Sequence, residues 1–250
     1  MMDDFQASWI DNKNLFHNSH LIPNSLRMII CGPSNSGKTY LLNKMLLSDN
    51  FLDYNRLYIF TPTISQITYQ IVIQGFKNNL RKDQIKRIYE NQNEITDVLS
   101  AIKQVGKEAA NPKPIVEVFD YADASKIEEP TSFDKSKKNI FIFDDCCYDK
   151  VSIIEKYYSK GRHNNINCIY LTNSFFALPS DSIRNNANQL IFFEDNKSML
   201  RNLWNSISFI GIDDCITFIK LCDELWKEKD NSYLTINREE SDLNLKYTEF

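Results

Sequence analysis

No apolar run in this chain approaches the roughly 20 residues of a membrane-spanning helix, so no span is expected. No two cysteines are spaced CxxC, and His17, His20 and His163 stand at no ligand spacing to the cysteines, which argues against a structural zinc site. Positive charge is not in excess: 29 Lys and Arg face 33 Asp and Glu, for a formal net charge of −4. That balance gives no support to broad coating of nucleic acid and does not exclude a DNA contact confined to one channel-lining surface. The opening MMDDFQASWIDNKN is acidic and polar and lacks the pattern of a secretory signal. Internal repeats and low-complexity tracts are also missing. Cys31, Cys146, Cys147, Cys168, Cys215 and Cys222 are expected to be reduced, those in or beside apolar runs packing as small hydrophobes, in an intracellular, reducing location. A length of 250 residues, 42% hydrophobic, suits one large globular core with a modest appendage.

What is present begins at residues 27–39, RMIICGPSNSGKT. An apolar run, Met28 to Cys31, leads into Gly32-Pro33-Ser34-Asn35-Ser36-Gly37-Lys38-Thr39, an ungapped G-x-x-x-x-G-K-S/T. Next, Leu41, Leu42, Met45 and Leu46 share one helical face. Strand, glycine loop and helix in that order are the context this motif needs to count as a phosphate-binding loop. Gly32 and Gly37 permit the bend that turns successive N–H groups inward, and the helix start adds its positive end. Lys38 reaches β- and γ-phosphate oxygens, and the Thr39 hydroxyl suits magnesium. The expected ligand is ATP with Mg2+.

Arg56 to Phe60 reads as a strand ended by Thr61-Pro62. Residues 65–75 fit helix or strand. From Asp83 to about Gly106 the apolar spacing is helical. The segment 77–87, KNNLRKDQIKR, is basic, either a solvated helix face or a nucleic-acid contact. Residues 107–138 read as a long connection with one short strand, Ile115 to Phe119. Further strands are expected at 139–143, 167–173, 189–193 and 233–238, with helices at 151–160, 196–207 and 212–228. Strands alternating with helices predict a mostly parallel α/β sheet. The boundaries drawn are an N-terminal arm (1–24), an ATPase core (25–210) and a C-terminal extension of the same domain (211–250).

Asn139-Ile140-Phe141-Ile142-Phe143 is the kind of run found in a buried parallel strand, and Asp144-Asp145 stands at its carboxyl end, where such sheets bind ligands. Asp144 is placed to face the cation held by Thr39. Asp145, on the opposite side of the chain, suits a base that orients the attacking water. Asn173, ending NCIYLTN, is either a γ-phosphate sensor or a strand-end turn residue. Arg162 is either a finger reaching a neighbouring subunit's ATP or a helix-terminal cation beside Gly161; Arg184 is a second finger candidate.

Taken together, GPSNSGKTYLL, IFIFDD and SKGRHNNINCIYLTNSFFALPSDSIRNNANQLIFF resemble the packaging ATPases of large nucleocytoplasmic DNA viruses and virophages, in the FtsK–HerA branch of P-loop motors. The likeness spans about residues 25–195. It implies a P-loop NTPase core of sheet order 5-1-4-3-2, assembled as a homo-oligomeric ring that drives double-stranded DNA into a capsid. It also implies that Asn173 is the sensor, that Arg162 is the best-matching trans finger, and that a capsid vertex or portal component is a partner. The implied location is the host cytoplasm, in a viral factory, and the virion. Asn173 stands where Gln is more usual, and Asp145 where the wider branch has Glu. Two other readings of the loop remain at this stage, a small-molecule (nucleoside-type) kinase with 77–87 as its lid, and a non-catalytic nucleotide-binding scaffold.

Overall fold

A computed structural model describes residues 22–49, 51–92, 97–108, 116–146, 151–178, 181–207, 214–228, 232–240 and 247–248. The expected arm up to residue 21, with His17 and His20, lies outside the described residues, as do Cys147 and Ile115.

The strand pattern Ile140-Phe141-Ile142-Phe143 shows how the molecule is layered. Side chains along a strand alternate faces. Ile140 and Ile142 join an aliphatic core on one side, while Phe141 and Phe143 join an aromatic-rich core on the other. This strand, β4 (Asn139–Asp144), is buried along its whole length. Around it run β1 (Arg27–Cys31), β2 (Arg56–Phe60), β3 (Glu117–Tyr121), β5 (Ile166–Thr172) and β6 (Gln189–Phe193), all parallel. β7 (Tyr233–Asn237) and β8 (Tyr247–Thr248) add antiparallel at one edge. The sheet order is β3-β2-β4-β5-β1-β6-β7-β8. Its inner five, read as β6-β1-β5-β4-β2, reproduce the expected 5-1-4-3-2 when these five strands are numbered along the chain. The three outer strands extend that frame.

On the aliphatic face lie α1 (Lys38–Leu47), α2 (Ile67–Lys77), α3 (Lys82–Glu90) and α4 (Val98–Glu108). On the aromatic face lie α5 (Val151–Lys160), α6 (Asp181–Asn186), α7 (Lys197–Ser206) and α8 (Cys215–Glu228). None of the described helices is long and apolar enough to cross a membrane. Tyr58 stacks between Phe119 and Phe141 at centroid distances of 4.6 and 4.3 Å, and Phe60 stacks on Tyr121 at 4.8 Å. Such pairs add to the area they bury.

These contacts correct two expectations. The strand placed at 115–119 is shifted to Glu117–Tyr121, because this register sets Phe119 beside Tyr58 and Tyr121 beside Phe60 and pairs Arg56 with Glu117 at 2.8 Å. The single helical pattern of 83–106 is two helices. α3 stops at Asn91, whose backbone N–H and side-chain amide both donate to the Arg87 carbonyl, which satisfies a helix-end acceptor. Of the ambiguous 65–75, residues from Ile67 onward belong to α2, which buries Tyr69, Ile71, Val72, Ile73 and Gly75. Burial pushes the thiols of Cys31, Cys168 and Cys222 up to about 12, so they serve as packing.

In the basic segment 77–87 most of the cations are engaged within the chain. Lys77 pairs with Asp120, Arg81 with Asp83 at 3.0 Å, and Lys86 with Glu90 at 3.9 Å. Lys82 donates to the Leu52 carbonyl at 3.0 Å and lies over the Tyr54 ring.

Candidate nucleotide site

The site grows from the carboxyl end of β1. Gly32 donates its N–H to the Thr172 carbonyl at 3.2 Å, holding the loop's start against β5. A side chain there is blocked: a Cβ on Gly32 would come 2.6 Å from the Phe193 Cβ and 2.7 Å from the Ser36 Oγ. At the other end Gly37 takes φ 100°, a conformation that favours glycine. Gly37 is also the N-cap of α1 and supplies no side-chain cap, and the helix has no acidic residue in its first turn. The first N–H groups of a helix have no intrahelical partner. Here they face a cavity of about 470 Å³ lined by Ser34, Asn35, Gly37, Lys38, Thr39 and Tyr40 on one side. Thr63, Gln66, Thr68, Asp144, Asp145 and Asn173 close the other. The Ser36 hydroxyl is buried without a partner.

Lys38 is folded back onto its own loop. Its Nζ donates to the carbonyls of Gly32 at 2.7 Å and Pro33 at 2.8 Å, and to Asn173 Oδ1 at 2.9 Å. Three acceptors match the three donors of an ammonium. Burial pulls this ammonium below the ordinary lysine value, and the carboxylates of Asp145 and Asp144 oppose the shift.

Asp144, 8% exposed, ends β4. Burial raises its proton affinity and Asp145 adds to the effect, whereas hydrogen bonds from Tyr69 and Thr61 and the charge of Lys38 work against it. The Tyr69 hydroxyl donates to Asp144 Oδ2 at 2.6 Å and Thr61 Oγ1 donates to the same oxygen at 3.4 Å. A strand that simply continued would send Asp145 to the opposite face. Instead Asp145 adopts φ 49°, which turns its carboxylate back to the same cavity. Asn173 Nδ2 then donates to Asp145 Oδ2 at 3.4 Å, so one amide bridges Lys38 and Asp145. A non-glycine residue in this region is uncommon and concentrates at functional sites.

A raised proton affinity in the fold means that stability tied to Asp144 is fully present below the unfolded carboxylate value and is lost as pH rises through the folded one. At neutral pH the ionised group is therefore a liability to the nucleotide-free fold. Asp144→Asn is expected to raise the unfolding midpoint at pH 7, by about 2–4 °C for each kcal/mol regained. The gain should shrink toward pH 4, and ATP hydrolysis should be lost. Thermal unfolding of both proteins across pH 4–8 checks this; a lower midpoint for the variant at pH 7 would contradict it.

The expected constellation is thus brought together, except for the arginines. Arg162 lies on a 3-10 turn, Gly161–Asn164, before β5, at the sheet end opposite the cavity. Arg184 on α6 donates to the Leu178 carbonyl at 2.8 Å and pairs with Asp181, tied into its own fold. Tyr69 and Thr61 were not singled out from the sequence, being 75 and 83 residues from Asp144.

Residues 13–239 match the family described as Poxvirus A32 protein. The chain belongs to that family. Membership bears out the resemblance to viral packaging ATPases drawn from GPSNSGKTYLL, IFIFDD and the 159–193 segment. Curated proteins offer no match. Among solved structures, the chain is similar to the genome-packaging NTPase B204 of Sulfolobus turreted icosahedral virus 2 in complex with ATP-gammaS, at 12% identity and TM-score 0.46, covering 86% of this chain and 93% of that one. It is similar to B204, the DNA-packaging ATPase of Sulfolobus turreted icosahedral virus, at 15% identity and TM-score 0.45, covering 85% and 92%. VirB4 of Thermoanaerobacter pseudethanolicus follows at 10% identity and TM-score 0.44, covering 85% and 86%.

Proposed function

We propose that this member of the A32 family is an ATPase that uses hydrolysis to drive double-stranded viral DNA into a capsid. The observation that carries the reading is the convergence of Lys38, Asp144, Asp145 and Asn173 on one cavity beside an uncapped helix start. In this reading the triphosphate seats on the N–H groups of residues 32–39 and draws Lys38 off the Gly32 and Pro33 carbonyls. Release of Lys38 leaves the Asn173 amide free to contact the γ-phosphate while it still reaches Asp145. Asp145 then accepts a proton from the water it orients. Thr39 and Asp144 would hold a magnesium ion, which would supply neutralisation of the phosphate charge. The donor set fits: two hard oxygen ligands beside a phosphate site suit Mg2+, and no cluster of three or more His, Cys, Asp or Glu side chains among the described residues offers a cage for another ion.

Arg162 acts from a neighbouring subunit, so the working form is a ring, with double-stranded DNA in its channel and a capsid vertex or portal component as its dock. Residues 25–210 form the ATPase core, and residues 211–250 belong to the same domain. The protein works in the viral factory of the host cytoplasm. The kinase reading lacks its lid, since no residue of 77–87 lines the cavity.

The test is the ATPase rate per subunit against protein concentration, with and without double-stranded DNA. The rate should climb with both. A rate indifferent to both would remove the ring motor from consideration.

A further inference from the structure

Three buried tyrosines place their hydroxyls on backbone carbonyls: Tyr54 on Leu46, Tyr157 on Glu128 and Tyr158 on Met28. That is the ordinary way to satisfy a buried phenol. Tyr69 differs. It is fully buried, and its hydroxyl donates at 2.6 Å to the Asp144 carboxylate. The phenol therefore fixes the carboxylate assigned above to the cation, and it reaches it from α2, an element outside the phosphate loop and the acidic strand.

We infer that Tyr69 is a positioning residue for the divalent cation, holding the Asp144 carboxylate through its hydrogen bond to Oδ2. The inference rests on the nucleotide-site reading. The Tyr69 proton occupies Asp144 Oδ2, leaving Oδ1 as the oxygen for the cation or its water. Thr61 supports the same oxygen at 3.4 Å and is itself bonded to Thr63 Oγ1 at 3.0 Å. The Thr63 N–H donates to Thr61 Oγ1 at 3.2 Å. The β2–α2 connection is thereby tied to the acidic strand, as outer-shell groups tie down metal ligands elsewhere.

The test uses the full chain with ATP-gammaS, which removes turnover, and Mn2+ as the probe ion, read by electron paramagnetic resonance. ATP-gammaS binding in EDTA is measured in parallel. Tyr69→Phe should raise the Mn2+ concentration for half-occupancy about tenfold, the scale of outer-shell losses at metal sites, while metal-free ATP-gammaS binding stays at the wild-type level. Thr61→Val should shift Mn2+ occupancy in the same direction by less, in keeping with its longer bond. Unchanged Mn2+ occupancy in both variants overturns the assignment. So does a proportional loss of metal-free and metal-loaded binding, which would mark Tyr69 as a core residue only. A wild-type chain that binds ATP-gammaS without retaining Mn2+ overturns the assignment and leaves the nucleotide site standing. Failure to bind ATP-gammaS at all overturns both.

Discussion

Lys38→Ala is expected to lower ATP hydrolysis by about a thousandfold, the upper range for removing one preorganised donor from developing charge. The resting contacts explain why no neighbour can take its place. Lys38 Nζ is held at 2.7 and 2.8 Å from two loop carbonyls and 2.9 Å from Asn173 Oδ1, so the cation is stored at the mouth of the site. A triphosphate offers charged oxygens in place of two neutral carbonyls, and charge-assisted hydrogen bonds are the stronger kind. The exchange favours the bound state, and it favours the transition state more as charge gathers on the transferring group. Lys38→Arg should be nearly as poor, because a planar fork does not fit three converging acceptors. The loss should fall mainly on kcat, with ATP-gammaS still binding through the backbone N–H groups. Steady-state rates with a parallel binding titration decide it. A variant within about tenfold of the native rate would show that the loop's N–H groups suffice.

Much of this site was legible because its parts are local in sequence. The loop 32–39 is one stretch, and the alternation in 140–143 both names the buried strand and sets Asp144 at its carboxyl end. Other parts are properties of contact. The return of Asp145 to the cavity depends on φ 49°, which no alternation pattern contains. Tyr69 lies in a stretch whose apolar spacing fits helix and strand alike, and its role appears only once α2 is laid beside β4. The register of β3 follows from rings on β2 some 60 residues earlier. Charge in 77–87 was visible, but not the acids that neutralise it, since Asp120 reaches Lys77 only through the edge strand. Sequence shows what a segment is able to bury; pairing decides against what.

The arginines separate by the same logic, and Arg162→Ala carries the second large effect. Arg162 is exposed and pairs with no acid among the described residues. The seven residues of β5 separate it from the cavity, a span of about 20 Å at the usual rise, beyond an arginine's reach within one chain. If it meets a triphosphate, the triphosphate belongs to a neighbour. Arg184, by contrast, is engaged by Leu178 and Asp181 and lies 6.0 Å from the Phe175 ring, so Arg184→Ala should act through the fold and lower the unfolding midpoint. Arg162→Ala should leave that midpoint and ATP-gammaS binding unchanged while cutting hydrolysis by about a thousandfold, as loss of a finger does. Mixing separates a trans finger from any residue acting at home. Lys38→Ala subunits retain Arg162, and Arg162→Ala subunits retain the phosphate loop. In a head-to-tail ring assembled from equal parts, about a quarter of the interfaces pair an intact loop with an intact finger. Two inactive proteins should therefore regain measurable ATPase activity when mixed. No recovery at any ratio, with assembly shown by sedimentation, would mean that Arg162 does not act across the interface.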